Sequence, residues 1–125
     1  MMMKKRILII DDEEDFTKFI KLNLEQTGQY EVRTENKGEA GITAAREFKP
    51  NLIFLDVMMP GVDGGEVCYQ LKNNQDTENI PVIFLTAAVK KEEVDGYTGI
   101  MGGNLFIAKP VDIKKLIYFI EKNIY

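Results

Sequence analysis

Residues 52–64 read LIFLDVMMPGVDG: an unbroken apolar run from Leu52 to Leu55, a carboxylate at Asp56, and a reversal at Pro60-Gly61. Apolar residues with no polar alternation mark a strand covered on both faces of a parallel sheet. A carboxylate is costly to desolvate, so Asp56 at the end of such a strand needs groups that offset its charge. Asp63-Gly64 then leads into a helix. Working outward, the same strand signal recurs in RILII (6–10) and VIFL (82–85), with a further run in NLFIA (104–108). YEVRT (30–34) alternates more and reads as an edge strand.

Helical patterns lie between these runs. Phe16, Phe19, Ile20, Asn23, Leu24 and Thr27 mark one stripe, with Gly28 as its stop. Ala40, Ala44, Ala45 and Phe48 mark a second, ending before Pro50, and Gly65 to Asn73 reads as a third. Lys90 to Ile100 is a weaker fourth. In the last, Ile113, Leu116, Ile117, Ile120 and Ile124 fall on one arc, and Asp112 stands as N-cap. Strand and helix alternate five times, which predicts an α/β fold. The expected architecture is a doubly wound (βα)5, flavodoxin-like sandwich: a five-stranded parallel sheet with helices on both faces.

The bulk composition narrows the function. At 125 residues the chain fits one compact domain, so residues 1–125 are expected to form a single unit with no output domain. Hydrophobic residues make up 45% and charged ones 29%, enough for a sizeable core. A net charge of −4 gives no broad pull towards nucleic acid or an anionic membrane. Neither zinc-finger spacing nor a helix-turn-helix signal occurs, so no direct nucleic-acid partner is expected. Cys68 is the sole cysteine, which excludes a disulfide framework and reads as a small packing residue of the third helix. The chain contains no histidine, so histidine metal sites, histidine general bases and a phosphohistidine within it are excluded. The opening MMMKKRILII imitates a signal peptide only as far as Ile10, where Asp11-Asp12 interrupts it. With no long apolar span elsewhere, a cytoplasmic protein without a membrane partner is expected.

In doubly wound sheets ligands bind beyond the carboxyl ends of the strands. There strand one ends in Asp11-Asp12, strand three in Asp56, strand four in Thr86, and strand five runs into Lys109-Pro110. Each has an ordinary reading alone: a helix-capping Asp, a strand-ending Thr, a solvated Lys. Together they are a phosphoryl-transfer kit. Three close carboxylates repel one another unless a cation joins them, and a hard ion with oxygen ligands such as Mg²⁺ suits the set. Lys109 and Thr86 supply positive charge and a hydrogen bond for an anion, and a carboxylate supplies the nucleophile.

IIDDEED, LDVMMPGVDG, FLTAA and FIAKP, in this order and at these spacings, resemble the motifs of response regulator receiver domains of two-component systems, particularly the single-domain, chemotaxis-regulator type. The resemblance covers essentially the whole chain. It implies phosphorylation of Asp56 by a histidine kinase or phosphotransfer protein. Asp11, Asp12, Asp56 and the backbone carbonyl of Met58 would hold Mg²⁺, while Thr86 and Lys109 would each meet a phosphoryl oxygen. Phe106 matches the family's switch aromatic, which turns inward as Thr86 moves towards the phosphate. Lys109-Pro110 matches a peptide that is usually cis. Three positions depart from the pattern: Gly65 stands where a larger apolar residue is usual, Gly103 replaces an Ala, and Phe106 lacks a Tyr hydroxyl.

The implied function is a phosphorylation-dependent switch that supports its own phosphotransfer and dephosphorylation chemistry without being an enzyme in the usual sense. Its output would be a downstream protein bound on a face built from the fourth helix, fifth strand and fifth helix, with Tyr118 on it, or a phosphorylation-linked homodimer. Two alternatives stand beside it. A pseudo-receiver would use the fold as a constitutive interaction module. A Mg²⁺-dependent aspartyl phosphatase of the haloacid-dehalogenase type would need D-x-D after strand one, where this chain has Asp11-Asp12-Glu13.

Overall fold

A computed structural model describes residues 3–87, 98–101 and 104–124. The strands are β1 (Lys5–Ile10), β2 (Tyr30–Glu35), β3 (Leu52–Asp56), β4 (Val82–Thr86), β5 (Thr98–Met101) and β6 (Asn104–Ala108). The helices are α1 (Glu14–Gln26), α2 (Gly38–Phe48), α3 (Gly64–Lys72) and α4 (Ile113–Asn123). One sheet runs in the order β2-β1-β3-β4-β6-β5. Its first five members are parallel, as the apolar runs predict, and β5 adds a short antiparallel edge on β6.

The central strands are apolar throughout because helices cover both faces. On one face α2 and α3 contribute Ile42, Ala44, Ala45, Val67, Cys68 and Leu71, packed on Leu8, Ile10, Ile53 and Leu55. On the other, α1 and α4 set Ile20, Leu24, Leu116 and Ile120 against Ile7, Ile9, Leu52 and Phe54. Every residue of β3 is buried, and each such aliphatic side chain contributes about 1.5–3 kcal/mol when fully buried. That core holds the carboxyl ends of the strands in fixed relation. No helix among the described residues is long and apolar enough to cross a membrane.

The helix ends follow the sequence closely. Gly28 takes φ +77° after α1. The Asp63 side chain accepts from Glu66 N at 2.9 Å to cap α3, and Asp112 accepts from Lys114 N at 2.8 Å to cap α4. Cys68 is buried in α3, as expected of a packing residue. Two expectations need correction, and one departure from the family pattern proves to lie on the surface. Phe19 is 51% exposed, because the inward arc of α1 is centred on Thr17, Ile20 and Leu24. Gly65 is exposed at the start of α3, so the lack of a side chain there leaves no gap in the core. Of the helix expected over residues 90–100, the part 90–97 lies outside the described residues, and Thr98 to Ile100 are strand. Gly103 also lies outside them.

Candidate functional site

Strand register assembles the site. Ile10 lies beside Leu55 across β1 and β3, so the next residues, Asp11 and Asp56, leave the sheet side by side. This is the crevice where strand order reverses, with β2 on one side of β1 and β3 on the other. Thr86 ends β4 beside Ala108 of β6, and its carbonyl accepts from Lys109 N at 2.9 Å. The strand ends thereby carry all of the expected charged residues to one rim.

Asp11, Asp12 and Asp56 bring carboxylate oxygens to within 4.8 Å of one another. Asp11 is fully buried and Asp56 is 3% exposed, whereas Asp12 reaches solvent. Lys109 Nζ stands 2.7 Å from Asp11 Oδ2 and 3.9 Å from Asp56 Oδ2. The same ammonium lies 2.7 Å from Glu13 Oε1 and 4.5 Å from the centre of the Phe16 ring. The Lys109-Pro110 peptide is cis, as the resemblance implies.

The loop after β3 holds Asp56 in place. Met58 N donates to Asp56 Oδ1 at 3.3 Å, and Val57 N donates to Leu85 O at 3.0 Å. Gly61 turns the chain with φ +80°, a conformation strained for a residue with a Cβ. Gly64 returns so close that a Cβ would overlap the Asp56 carbonyl oxygen, while its N–H donates to Val57 O at 3.0 Å. A glycine is therefore required at 64. A cleft of about 360 Å³ beside Asp12, between the loops after β2 and β3, gives solvent access from that side.

Burial sets the electrostatics. It pushes the Asp11 carboxyl above its usual value, only partly offset by Lys109 and the backbone N–H of Glu13. Asp56 is pushed up to about 7: burial acts first, then the charge of Asp11, then a hydrogen bond with Asp12, with Lys109 and Met58 N pulling the other way. Burial alone would lower the Lys109 ammonium. Its contacts with Asp11 and Glu13, and the field of Asp56, outweigh that and raise it.

One ammonium thus serves several carboxylates. Asp11 Oδ2 meets Lys109 only as an ion pair, with no hydrogen-bond donor aligned on it among the described residues. An all-oxygen cluster whose negative charge exceeds what one ammonium offsets fits a hard divalent cation. Asp11, Asp12 and Asp56 are the residues that could hold it.

The remaining expected residues take different positions. Phe106 is 2% exposed on β6 beside Phe84, inside the α2–α3 layer and outside the charged cluster. Met58 is 65% exposed in the loop after β3. Tyr118 is 52% exposed on α4, facing solvent as its place opposite the apolar arc predicts. Two residues had less visible roles in the sequence. Glu13 is the N-cap residue of α1, and its carboxylate also reaches Lys109. Asn36, after β2, donates to Asp11 O at 2.8 Å and to Thr17 Oγ1 at 3.2 Å, tying the β2 end to the site. Neither long-range contact had a local sequence signal.

The sequence model of the family described as "Response regulator receiver domain" matches residues 7–121. The alkaline phosphatase synthesis transcriptional regulatory protein PhoP of Bacillus subtilis (strain 168) is 43% identical over 109 residues, covering 86% of this chain and 43% of its own length. The response regulator ArlR of Staphylococcus saprophyticus is 38% identical over 113 residues, covering 90% of this chain and 49% of its own. The chain thus spans about half the length of the curated relatives it matches. Among solved structures, the Vibrio cholerae chemotaxis protein CheY4 superimposes with a TM-score of 0.82 over 98% of this chain and 100% of its own. At 22% identity, that likeness speaks for the fold.

Proposed function

Because the chain belongs to the response regulator receiver domain family of two-component systems, we propose that it is a phosphoacceptor switch with Asp56 as the acceptor. The observation that carries the reading is the setting of Asp56. It is a nearly buried carboxylate on a rigid strand end, flanked by two more carboxylates, with an ammonium 3.9 Å away.

In the proposed reaction an Asp56 carboxylate oxygen attacks the phosphorus of a partner's phosphohistidine. A P–O bond forms as the P–N bond breaks, and the imidazole leaves with the electron pair and takes up a proton. Asp11, Asp12, Asp56 and the Met58 carbonyl would hold Mg²⁺, which would supply charge to offset the carboxylates and the phosphoryl oxygens. Lys109 pairs with one phosphoryl oxygen and the Thr86 hydroxyl donates to another. A movement of Thr86 towards the phosphoryl group would be read out through Phe106, whose strand pairs with β4.

The partners in this reading are a histidine kinase or phosphotransfer protein upstream and a protein partner or second copy downstream. The cell compartment is the cytoplasm. The exposed Tyr118 belongs to the output face, so Tyr118→Ala should weaken partner binding or self-association without changing modification of Asp56. The domain acts as a regulator that supports its own phosphotransfer and dephosphorylation. Titration with beryllium fluoride, a phosphoryl mimic, followed by ¹⁹F NMR, tests the site. Binding should require Mg²⁺ and disappear in Asp56→Asn; binding without Mg²⁺, or unchanged in that variant, would sink the proposal.

A further inference from the structure

Lys109 is the one cation in contact with Asp11 and Asp56 among the described residues, yet its nearest partners include a residue outside the carboxylate cluster. The first turn of α1 forms a cradle around it. Glu13 Oε1 lies 2.7 Å from Nζ, and the Phe16 ring, three residues on, lies 4.5 Å from it. Residues i and i+3 share a helix face, so one element presents both. The ammonium is drawn towards α1 and Asp11, both at ion-pair distance, and stands farther from Asp56 at 3.9 Å. The Glu13 side chain is 61% exposed, so it can leave Lys109 without opening the core.

We propose that Glu13 is a positioning residue that competes with the incoming phosphoryl group for Lys109. This rests on the reading of Asp56 as phosphoacceptor. An anion arriving at Asp56 meets an ammonium already offset by two carboxylates, and the exposed one is the one it displaces. The same carboxylate has the opposite effect on a cation, because it adds negative charge beside Asp11, Asp12 and Asp56. Its field at Asp11 acts in that sense, opposing ionisation there. Glu13 thus biases the site towards the metal and against the anion.

The opposed signs make the test specific. In Glu13→Gln, Mg²⁺ should bind about threefold more weakly, while beryllium fluoride at saturating Mg²⁺ should bind about threefold more tightly, as expected for one partly exposed charge. The backbone contacts of Glu13 survive the change, because they use its N–H and C=O. Glu13→Asp keeps the charge but is one methylene shorter and loses the 2.7 Å contact. It should leave Mg²⁺ affinity near wild type and still tighten the anion. Equal shifts of cation and anion in the same direction, or no shift in either variant, would overturn the role given to Glu13. Wild-type protein that binds no beryllium fluoride would instead overturn the reading of Asp56, so the two failures are told apart.

Discussion

At the amino edge of the sheet, Glu121 accepts from the Tyr30 hydroxyl at 2.6 Å and pairs with Lys5 at 3.0 Å. At the carboxyl edge, Asp11 and Asp56 are almost wholly buried and depend on one lysine that Glu13 also holds. The hydrogen bond from Tyr30, and then Lys5, hold the Glu121 carboxyl below its usual range, so its ionised form favours the fold. Burial pushes Asp11 and Asp56 up, with the charge of Glu13 adding at Asp11 and that of Asp11 adding at Asp56, so their ionised forms oppose it. One end of the molecule is built for stability. The other carries charge that the core must hold in place until a cation or a phosphoryl group offsets it, and that unmet charge is what the proposed switch uses.

The largest break in this contrast should come from Lys109→Met. It leaves buried carboxylates without their ammonium and should cost about 3 kcal/mol in urea unfolding without Mg²⁺ at pH 8. Asp56→Asn should move the other way, raising metal-free stability by about 2 kcal/mol under the same conditions, because it removes one of the repelling charges. A loss of stability there would contradict the account of the carboxyl edge.

The pH dependence sharpens the contrast further. The native pKa of Asp56 is raised, so its contribution to stability is fully present below the unfolded carboxylate range and lost as pH rises through about 7. Between pH 6 and 8 metal-free protein should lose about 1 kcal/mol from this group, and Asp56→Asn should flatten that part of the profile. The smallest effect belongs to the amino edge. Glu121→Gln should cost about 0.5–1 kcal/mol at pH 7. Because the Glu121 pKa is lowered, its contribution fades as pH falls through the acid range, so variant and wild type should converge near pH ~3 in thermal melts.

Much of the fold and the rim was legible because one periodicity dominates each element. Strands such as LIFL can be continuous and apolar only where both faces are covered, and the residue after each run then falls on a common edge. That logic reached Asp11, Asp56, Thr86 and Lys109. It failed where packing chose among plausible arcs, as with Phe19, which lies in the apolar stripe yet faces outward. It failed again at Thr98 to Ile100, where β-formers pair with β6 although the wider window carried a helical pattern. The pairing of Glu13 with Lys109 spans 96 positions, and no local pattern could announce it.

The most direct test of the central claim is peptide mass analysis after incubation with acetyl phosphate, with and without Mg²⁺. A phosphoryl mass increment should map to Asp56, require Mg²⁺ and vanish in Asp56→Asn. Unmodified Asp56 under these conditions, or an increment elsewhere that Asp56→Asn leaves intact, would contradict the account.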